Sequence, residues 1–334
     1  MNVGIIGFGK MGRIRMRALE QVGGGRITKV YDAQKPPELS GGVTFCRNED
    51  QILNDPAVDA VFICTPNYRI PDLCVAALKA GKHVFSEKPP GFSARDVERV
   101  IDAEKGSGRK LMYGFNHRHH DSIKRMKQIV DAGEMGRILW MRGRYGKEVD
   151  ERFFEGWRAR KELAGGGILL DQGIHMLDLF LHLGGGFDEV SAFVSNLFWK
   201  IDGIEDNVFA IYRNNDNGLC ASLHSTMTQW RYLFSLEVFL EGGALILNGL
   251  KTSSGAYGDE VLTIKRNTSH LHDGRHNLEE EHAYHVDESW NSEVAHFVDC
   301  VKNDSPVRYG SSADALKLMR LIDRTYASSK SHDR

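Results

Sequence analysis

Nothing in this chain of 334 residues is apolar for long enough to cross a membrane as a helix, which takes about 20 residues. The first residues also lack the charged segment and apolar core of a signal peptide and read directly as a strand. An excess of one charge is missing too. The 43 basic and 45 acidic residues leave a formal net charge of -2, which gives no reason to invoke nucleic acid or an anionic membrane as a partner. Cysteine is sparse: Cys46, Cys64, Cys74, Cys220 and Cys300 are scattered, with no CxxC pair. Cys64 and Cys74 stand in apolar contexts that suit buried thiols, and a reducing cytoplasm is expected. Histidines group at His117, His119 and His120 and again at His270, His272, His276, His282 and His285. Neither group has the HExxH or Cys/His-finger spacing, so no metal site is expected. Asn267-Thr268-Ser269 matches a glycosylation acceptor, which means little without a secretion signal. Internal repeats and low-complexity linkers are absent. What is left is a chain too long for one core, so two domains are expected.

Val3-Gly4-Ile5-Ile6 reads as a buried strand. Gly7-Phe8-Gly9-Lys10-Met11-Gly12 follows at once, and Arg13 to Val22 reads as a helix. Strand, glycine-rich turn and helix in that order are the setting of a dinucleotide fingerprint. Gly7 permits the tight turn, Gly9 lets a pyrophosphate approach the backbone, and Gly12 lets the helix lie close to the strand. The helix start offers unpaired N–H groups to phosphates. Asp32 ends the next strand, Ile27 to Tyr31, twenty residues past Gly12. Its carboxylate suits the adenosine ribose hydroxyls and repels a 2′-phosphate, so NAD is expected over NADP. Lys35 is the nearby cation that weakens this preference.

Strands then alternate with helices: Val58 to Cys64, a helix from Pro71 to Ala80, His83 to Ser86, a helix from Ala94 to Lys105 behind Ser93 and Asp96, and Lys110 to Tyr113. This rhythm indicates a doubly wound parallel sheet, whose ligands sit at the carboxyl ends of its strands. Thr65, Pro66, Asn67, Glu87, Lys88 and Asn116 all fall at such ends, and Lys88 is expected to face the crevice of Gly7 and Gly9. His119 or His120, next to Asn116, is a candidate substrate contact.

The rhythm changes after a helix from His120 to Ala132. Longer strands are expected at Ile138 to Tyr145, Glu189 to Phe198, Asn207 to Tyr212, Leu219 to Thr228, Phe234 to Glu241, Ala244 to Leu247 and Val261 to Lys265, with turns at Asn214 to Gly218 and Gly242-Gly243. They suggest a large, mainly antiparallel sheet. Asn267 to His285 reads as an exposed loop or irregular edge. Two helices close the chain, Glu288 to Lys302 and Ser312 to Ser328. The fold class is therefore α/β, a Rossmann sheet plus an α+β domain with an open sheet, divided as residues 1–118 and 119–334.

Inserted among those strands, Gly165 to Asp178 reads as one apolar helix. Asp171, His175, Asp178 and His182 recur on it at steps of four, three and four, one polar stripe on a greasy surface. Burying such groups is costly unless they are paired or used. His175 is the best general base, because imidazole titrates near neutrality. Asp171 can orient it or bind a substrate hydroxyl. Lys88 can stabilise an oxygen that becomes alkoxide-like. Asp178 is expected to be a support.

Taken in order, these motifs resemble the Gfo/Idh/MocA family of NAD(P)-dependent oxidoreductases along almost the whole chain. The matching residues are Gly7-x-Gly9-x-x-Gly12, Thr65-Pro66-Asn67, Ala80-Gly81-Lys82-His83-Val84 leading to Glu87-Lys88-Pro89, Gly114-Phe115-Asn116-x-Arg118, Gly133-x-x-Gly136, and Gly165-Gly166-Gly167 leading to Asp171-x-Gly173-x-His175-x-x-Asp178. The resemblance implies a Rossmann domain, an open-sheet domain that often builds oligomers, so a homodimer or homotetramer, and a catalytic set of Lys88, Asp171 and His175. It departs where Tyr68-Arg69-Ile70-Pro71 replaces a stretch that usually holds a histidine.

Asn116, Arg118, Trp157 and Arg158 join Lys88, Asp171 and His175 as expected substrate contacts. Trp157 can stack on a sugar ring, and Arg158, Arg160 or Lys161 can hold a phosphate or carboxylate. His224, Trp230 and Tyr232 either line the same pocket or pack. The leading expectation is a dehydrogenase or reductase of a sugar, sugar derivative or nucleotide sugar. The alternatives are an NAD-dependent glycosidase working through transient oxidation and a non-catalytic NAD-binding regulator.

Overall fold

A computed structural model describes residues 1–34, 39, 41–267 and 279–332. Lys35, His270, His272, His276 and the Thr268-Ser269 part of the acceptor motif lie outside the described residues. The chain forms two compact units. One comprises Met1–Asn116, Glu162–Gly165 and Ser289–Arg320, the other His117–Lys161, Gly166–Glu288 and Leu321–Arg334.

The first unit is built on β1 (Asn2–Ile6), α1 (Lys10–Val22), β2 (Arg26–Tyr31), β3 (Thr44–Phe45), α2 (Asp50–Leu53), β4 (Ala60–Ile63), α3 (Ile70–Lys79), β5 (His83–Glu87), α4 (Ala94–Ser107) and β6 (Leu111–Gly114). Its six strands are all parallel in the order β3-β2-β1-β4-β5-β6. Strands of a parallel sheet are covered on both faces, and β4 is accordingly buried at every residue. Ser93 and Asp96 form the capping box of α4, and Gly108 ends the helix with left-handed backbone. The sequence shows no signal for β3, which is two residues long.

The second unit holds α5 (Asp121–Ala132), β7 (Ile138–Glu148), the short helix α6 (Lys161–Ala164, which straddles the unit boundary), α7 (Ile174–Gly184), β8 (Glu189–Ser195), β9 (Asn207–Arg213), β10 (Cys220–Thr226), β11 (Thr228–Leu240), β12 (Gly243–Asn248), β13 (Glu260–Arg266) and β14 (Glu279–Tyr284). Eight strands order as β14-β13-β12-β11-β7-β10-β9-β8. Every pairing is antiparallel except β7 with β10. Of the two alternatives expected for Asn267 to His285, the edge holds where residues are described: Glu279 to Tyr284 is a regular strand at the sheet edge, with exposed polar residues on both faces and so no alternation to announce it. The last helices are α8 (Ser289–Lys302) and α9 (Ser312–His332), and α9 runs from the first unit into the second. In the first unit, Val294, Phe297 and Val298 of α8 join the core made by Met16, Leu19, Phe62 and Phe85.

Side chains alternate across a strand, and β7 sends Met141, Gly143, Tyr145 and Lys147 to one face. α7 packs there: a Cβ at Gly143 would lie 2.4 Å from Met176 Cγ. The opposite face carries Trp140, Arg142 and Arg144. It continues through exposed Phe193 of β8 and Phe209 and Ile211 of β9.

The expected continuous helix from Gly165 is broken. Gly165 to Gly167 are not helical, Leu169–Gly173 is a π turn, and regular α7 begins only at Ile174. Glu205 caps the start of this segment. Its carboxylate accepts Gly167 N at 2.7 Å and Leu169 N at 3.0 Å, and Tyr326 Oη donates to it at 2.8 Å. A Cβ on Gly167 would sit 2.0 Å from Glu205 O, so only glycine fits. The π turn accommodates one extra residue and shifts the stripe out of a regular helical phase.

Candidate active site

In the first unit, the glycine turn has the shape a dinucleotide needs. Gly7 takes φ 93°, and a Cβ there would meet Cys64 O at 2.5 Å. A Cβ on Gly12 would meet Gly7 O at 2.3 Å, whereas one on Gly9, at the start of α1, would meet nothing within 4 Å. Closed behind and open in front, the turn leaves backbone room beside the helix N-terminus for a pyrophosphate. Asp32 Oδ2 accepts Phe8 N at 2.6 Å and Oδ1 accepts Gln34 N at 2.9 Å. These bonds lock the carboxylate beside the turn. Lys10 is exposed, Met11 half-buried and Phe8 buried. These residues fit NAD.

Thr65 and Pro66 follow β4, and Gly7 lies against the Cys64–Thr65 backbone. Asn67 is buried and donates Nδ2 to Ala164 O at 2.9 Å. Tyr68, at the departure from the family pattern, is exposed. Lys88 directly follows β5 and joins Pro89 by a cis peptide bond. Glu87 turns instead into the protein. It accepts Arg15 Nε at 2.6 Å, while Arg15 Nη1 reaches Glu293 Oε2 at 2.5 Å, all three side chains being buried. The Arg15 guanidinium also lies 4.4 Å from the Phe85 ring and 4.7 Å from that of Trp290. Asn116 Nδ2 donates to Ser289 Oγ at 3.2 Å.

In the second unit, Asp171, His175 and their neighbours form one polar cluster. His175 is buried and stacks on His117, ring centroids 3.8 Å apart and planes 16° apart. His117 Nε2 lies 3.0 Å from Tyr145 Oη. The Tyr145 and Tyr257 rings pack with centroids 5.3 Å apart, and Gln172 Nε2 donates to Tyr257 Oη. Burial, reinforced by Tyr257 and by the Asp171 charge, raises the Tyr145 hydroxyl well above the ordinary tyrosine value, so it stays a neutral donor and acceptor. Asp171 is gripped by two cations: Lys147 Nζ bonds Oδ2, and Arg158 Nε lies 3.4 Å from Oδ1. Arg158 also covers the Trp157 ring at 4.4 Å.

Arg118 and Asp178 pair deep in this unit, Nε to Oδ2 at 2.8 Å and Nη2 to Oδ1 at 2.6 Å, their side chains 4% and 0% exposed. His120 Nδ1 lies 2.9 Å from Glu260 Oε2, both buried. Burial pushes the Glu260 carboxyl up, but the hydrogen bond and charge of His120 outweigh it and hold the group below the ordinary glutamate value. His224 stacks on Phe209 at 3.9 Å on the outer sheet face.

The structure therefore gathers Asp171, Arg158, Trp157 and His175 within one unit and the glycine turn, Asp32 and Asn67 within the other. Lys147, Tyr145, Tyr257 and Glu205 went unnoticed in the sequence. Lys147 and Tyr145 had a usable signal, since they share strand parity with Met141 and Gly143 on β7. Tyr257 and Glu205 come from loops and had none.

Residues 1–115 match the model of an oxidoreductase family with an NAD-binding Rossmann fold, and residues 123–246 match the Gfo/Idh/MocA C-terminal domain. The chain belongs to the Gfo/Idh/MocA family of oxidoreductases. It is 31% identical over 211 residues to levoglucosan dehydrogenase of Pseudarthrobacter phenanthrenivorans, covering 58% of this chain and 54% of that relative, about half its length. It is 26% identical to myo-inositol 2-dehydrogenase of Thermotoga maritima, covering 78% of this chain and 79% of that one. A solved levoglucosan dehydrogenase in complex with NADH shares the fold, with TM-score 0.85, 22% identity, and coverage of 99% of this chain and 97% of that one. Among the described residues no helix is long and apolar enough to cross a membrane.

Proposed function

We propose that this protein is an NAD-dependent dehydrogenase or reductase acting on a secondary alcohol or ketone of a sugar or sugar derivative, with Lys88, Asp171 and His175 as its catalytic residues. The observation that carries this reading is the pair of neighbouring groups on one polar segment, buried His175 stacked on His117 and half-buried Asp171 paired with Lys147, in a chain whose first 115 residues match an NAD-binding Rossmann fold. The relatives named for levoglucosan and myo-inositol supply the substrate class. Both are dehydrogenases, which favours net oxidoreduction over transient oxidation in a glycosidase.

Bound NAD supplies the hydride acceptor. Gly7 to Gly12 and the start of α1 hold its pyrophosphate. Asp32 takes the ribose hydroxyls and disfavours a 2′-phosphate, and Thr65, Pro66 and Asn67 line the same end of the sheet. Oxidation of a secondary alcohol also removes the hydroxyl proton. His175 takes it, steadied by its stack on His117. Lys88 stabilises the oxygen as negative charge builds on it. Asp171, held by Lys147 and Arg158, accepts a neighbouring substrate hydroxyl. Trp157, Arg158 and Asn116 bind substrate. Arg118 acts through Asp178, fixing α7 and therefore His175, and Glu87 acts by holding Arg15 of α1 inside the first unit.

The protein works as a homodimer or homotetramer through the outer face of the eight-stranded sheet. Support comes from the exposed Phe193, Phe209 and Ile211 and the stacked Trp140 and Phe239, because contiguous apolar patches mark association surfaces. The five cysteines form no disulfide, in keeping with a reducing cytoplasm. Following NADH absorbance over a panel of sugars, inositols and nucleotide sugars tests the reading. One of them turns over, and His175→Ala abolishes that turnover while NAD binding persists. A full panel without turnover, or full activity in His175→Ala, would refute it.

A further inference from the structure

β11 does not run straight. Its register against β7 shifts between Thr228 and Leu233, so Gln229 to Tyr232 stand outside the ladder as a bulge. Trp230 takes φ 54°, left-handed backbone that a bulky residue adopts only where its surroundings impose it. Its side chain is nevertheless 53% exposed. Bulges re-aim side chains, commonly beside active sites.

Two chains of ring contacts leave this bulge; one reaches the proposed catalytic His175 and the other reaches Lys147, which pairs with Asp171. From Tyr232 they pass to Tyr257 at 5.1 Å, Tyr145 at 5.3 Å and His175 at 6.2 Å. From Trp230 they pass to Trp199 at 6.0 Å, Phe154 at 5.5 Å and Phe153 at 6.4 Å. Lys147, the partner of Asp171, lies 5.2 Å over the Phe153 ring. The exposed Trp230 and Tyr232 are thus the outer end of an aromatic cluster that leads inward to His175 and to the Lys147 that pairs with Asp171.

We infer that Trp230 and Tyr232 form a wall for the part of the substrate beyond the ring being oxidised, and that the preferred substrate is a glycoside rather than a free monosaccharide or inositol. Exposed aromatic faces recognise the C–H face of a second sugar or an apolar aglycone by dispersion and burial. A phosphate or carboxylate would select forked cations instead. The inference rests on the sugar-oxidoreductase reading, but its test need not.

The test measures equilibrium binding by ligand-observed NMR, with NAD present, for glucose, galactose and mannose and for both anomers of their phenyl glycosides. Wild type, Trp230→Ala and Trp230→Phe are compared, and each is also assayed for NADH formation and for mass in solution. Wild type binds a phenyl glycoside at least about tenfold tighter than its parent sugar. Trp230→Ala lowers that ratio about fivefold, the size of one aromatic pair; Trp230→Phe keeps most of it, and neither variant weakens the parent sugar. Failure of every phenyl glycoside to bind more tightly than its parent, or a ratio untouched in Trp230→Ala, overturns the inference. So does a Trp230→Ala protein that falls to a smaller assembly with the ratio intact, since the wall would then face a second copy of this chain. A glycoside preference that tracks Trp230 without any NADH formation would instead sink the oxidoreductase reading and leave the wall standing.

Discussion

Replacing Asp178 by asparagine preserves shape, removes the charge and turns one of the two acceptor oxygens into a donor, so it breaks the Arg118–Asp178 pair without opening a cavity. The two groups make two hydrogen bonds, of 2.8 and 2.6 Å, with side chains 4% and 0% exposed. Both side chains are out of reach of water, so the guanidinium loses its counter-charge without solvent to replace it. Breaking a buried pair in this way costs about 3–5 kcal/mol. For a unit of this size each kcal/mol moves the melting midpoint by about 2–4 °C, so Asp178→Asn lowers it by roughly 6–20 °C. The double variant Arg118→Met, Asp178→Leu removes both charges and recovers most of that loss, because an apolar pair of similar volume is often as stable as the ion pair. Thermal denaturation followed by circular dichroism, with NADH turnover on each stable variant, reads both effects. If Arg118 acts only through Asp178, the double variant retains the wild-type KM and loses kcat in proportion to how far α7 shifts. A shift of less than about 2 °C in Asp178→Asn would refute the argument that this pair organises the site. A stable double variant with KM raised more than about tenfold would place Arg118 on the substrate instead.

Further expectations follow from single groups. Burial raises the Glu205 carboxyl above the ordinary glutamate value, against the lowering effect of its bonds to Gly167, Leu169 and Tyr326. The folded chain therefore binds that proton more tightly than the unfolded one, and stability falls as pH rises from the ordinary value through the raised one; denaturation midpoints across pH show this slope, and Glu205→Gln flattens it. Asp32→Ser removes the charge that repels a 2′-phosphate, so the ratio of NADP to NAD use rises by at least about tenfold in steady-state kinetics, while an unchanged ratio would take Asp32 off the ribose. Lys147→Met removes a cation from Asp171 and lowers kcat/KM about tenfold, with little change in melting temperature because Asp171 remains one-quarter exposed to water.

Period and punctuation made most of the fold legible. The strand–glycine–helix start, the alternation of β and α to Tyr113, and the longer strands beyond Ile138 each carry a local pattern that burial then fixes. The breaks came where a distant group decides local structure. No pattern in Gly165 to Gly173 announces the break in the helix, and the group that caps the segment, Glu205, stands far along the chain. Glu87 stands at a strand end like Lys88, yet Arg15 and Glu293 hold it inside. β14 is an exposed edge with no buried face to write an alternation. The polar stripe was readable as residues, but its partners were not: Lys147 and Tyr145 reach Asp171 and His117 only because β7 lies beneath that segment.

The central claim is hydride removal from a sugar carbon with His175 taking the hydroxyl proton. Its most direct test offers wild type and His175→Ala a sugar from the panel deuterated at every carbon, with NAD, and follows the label by mass spectrometry. With wild type, one deuterium appears in the reduced nicotinamide per oxidised sugar, and His175→Ala lowers turnover by orders of magnitude at undiminished NAD affinity. Reduced nicotinamide without the label, or equal label transfer by the two proteins, would contradict it.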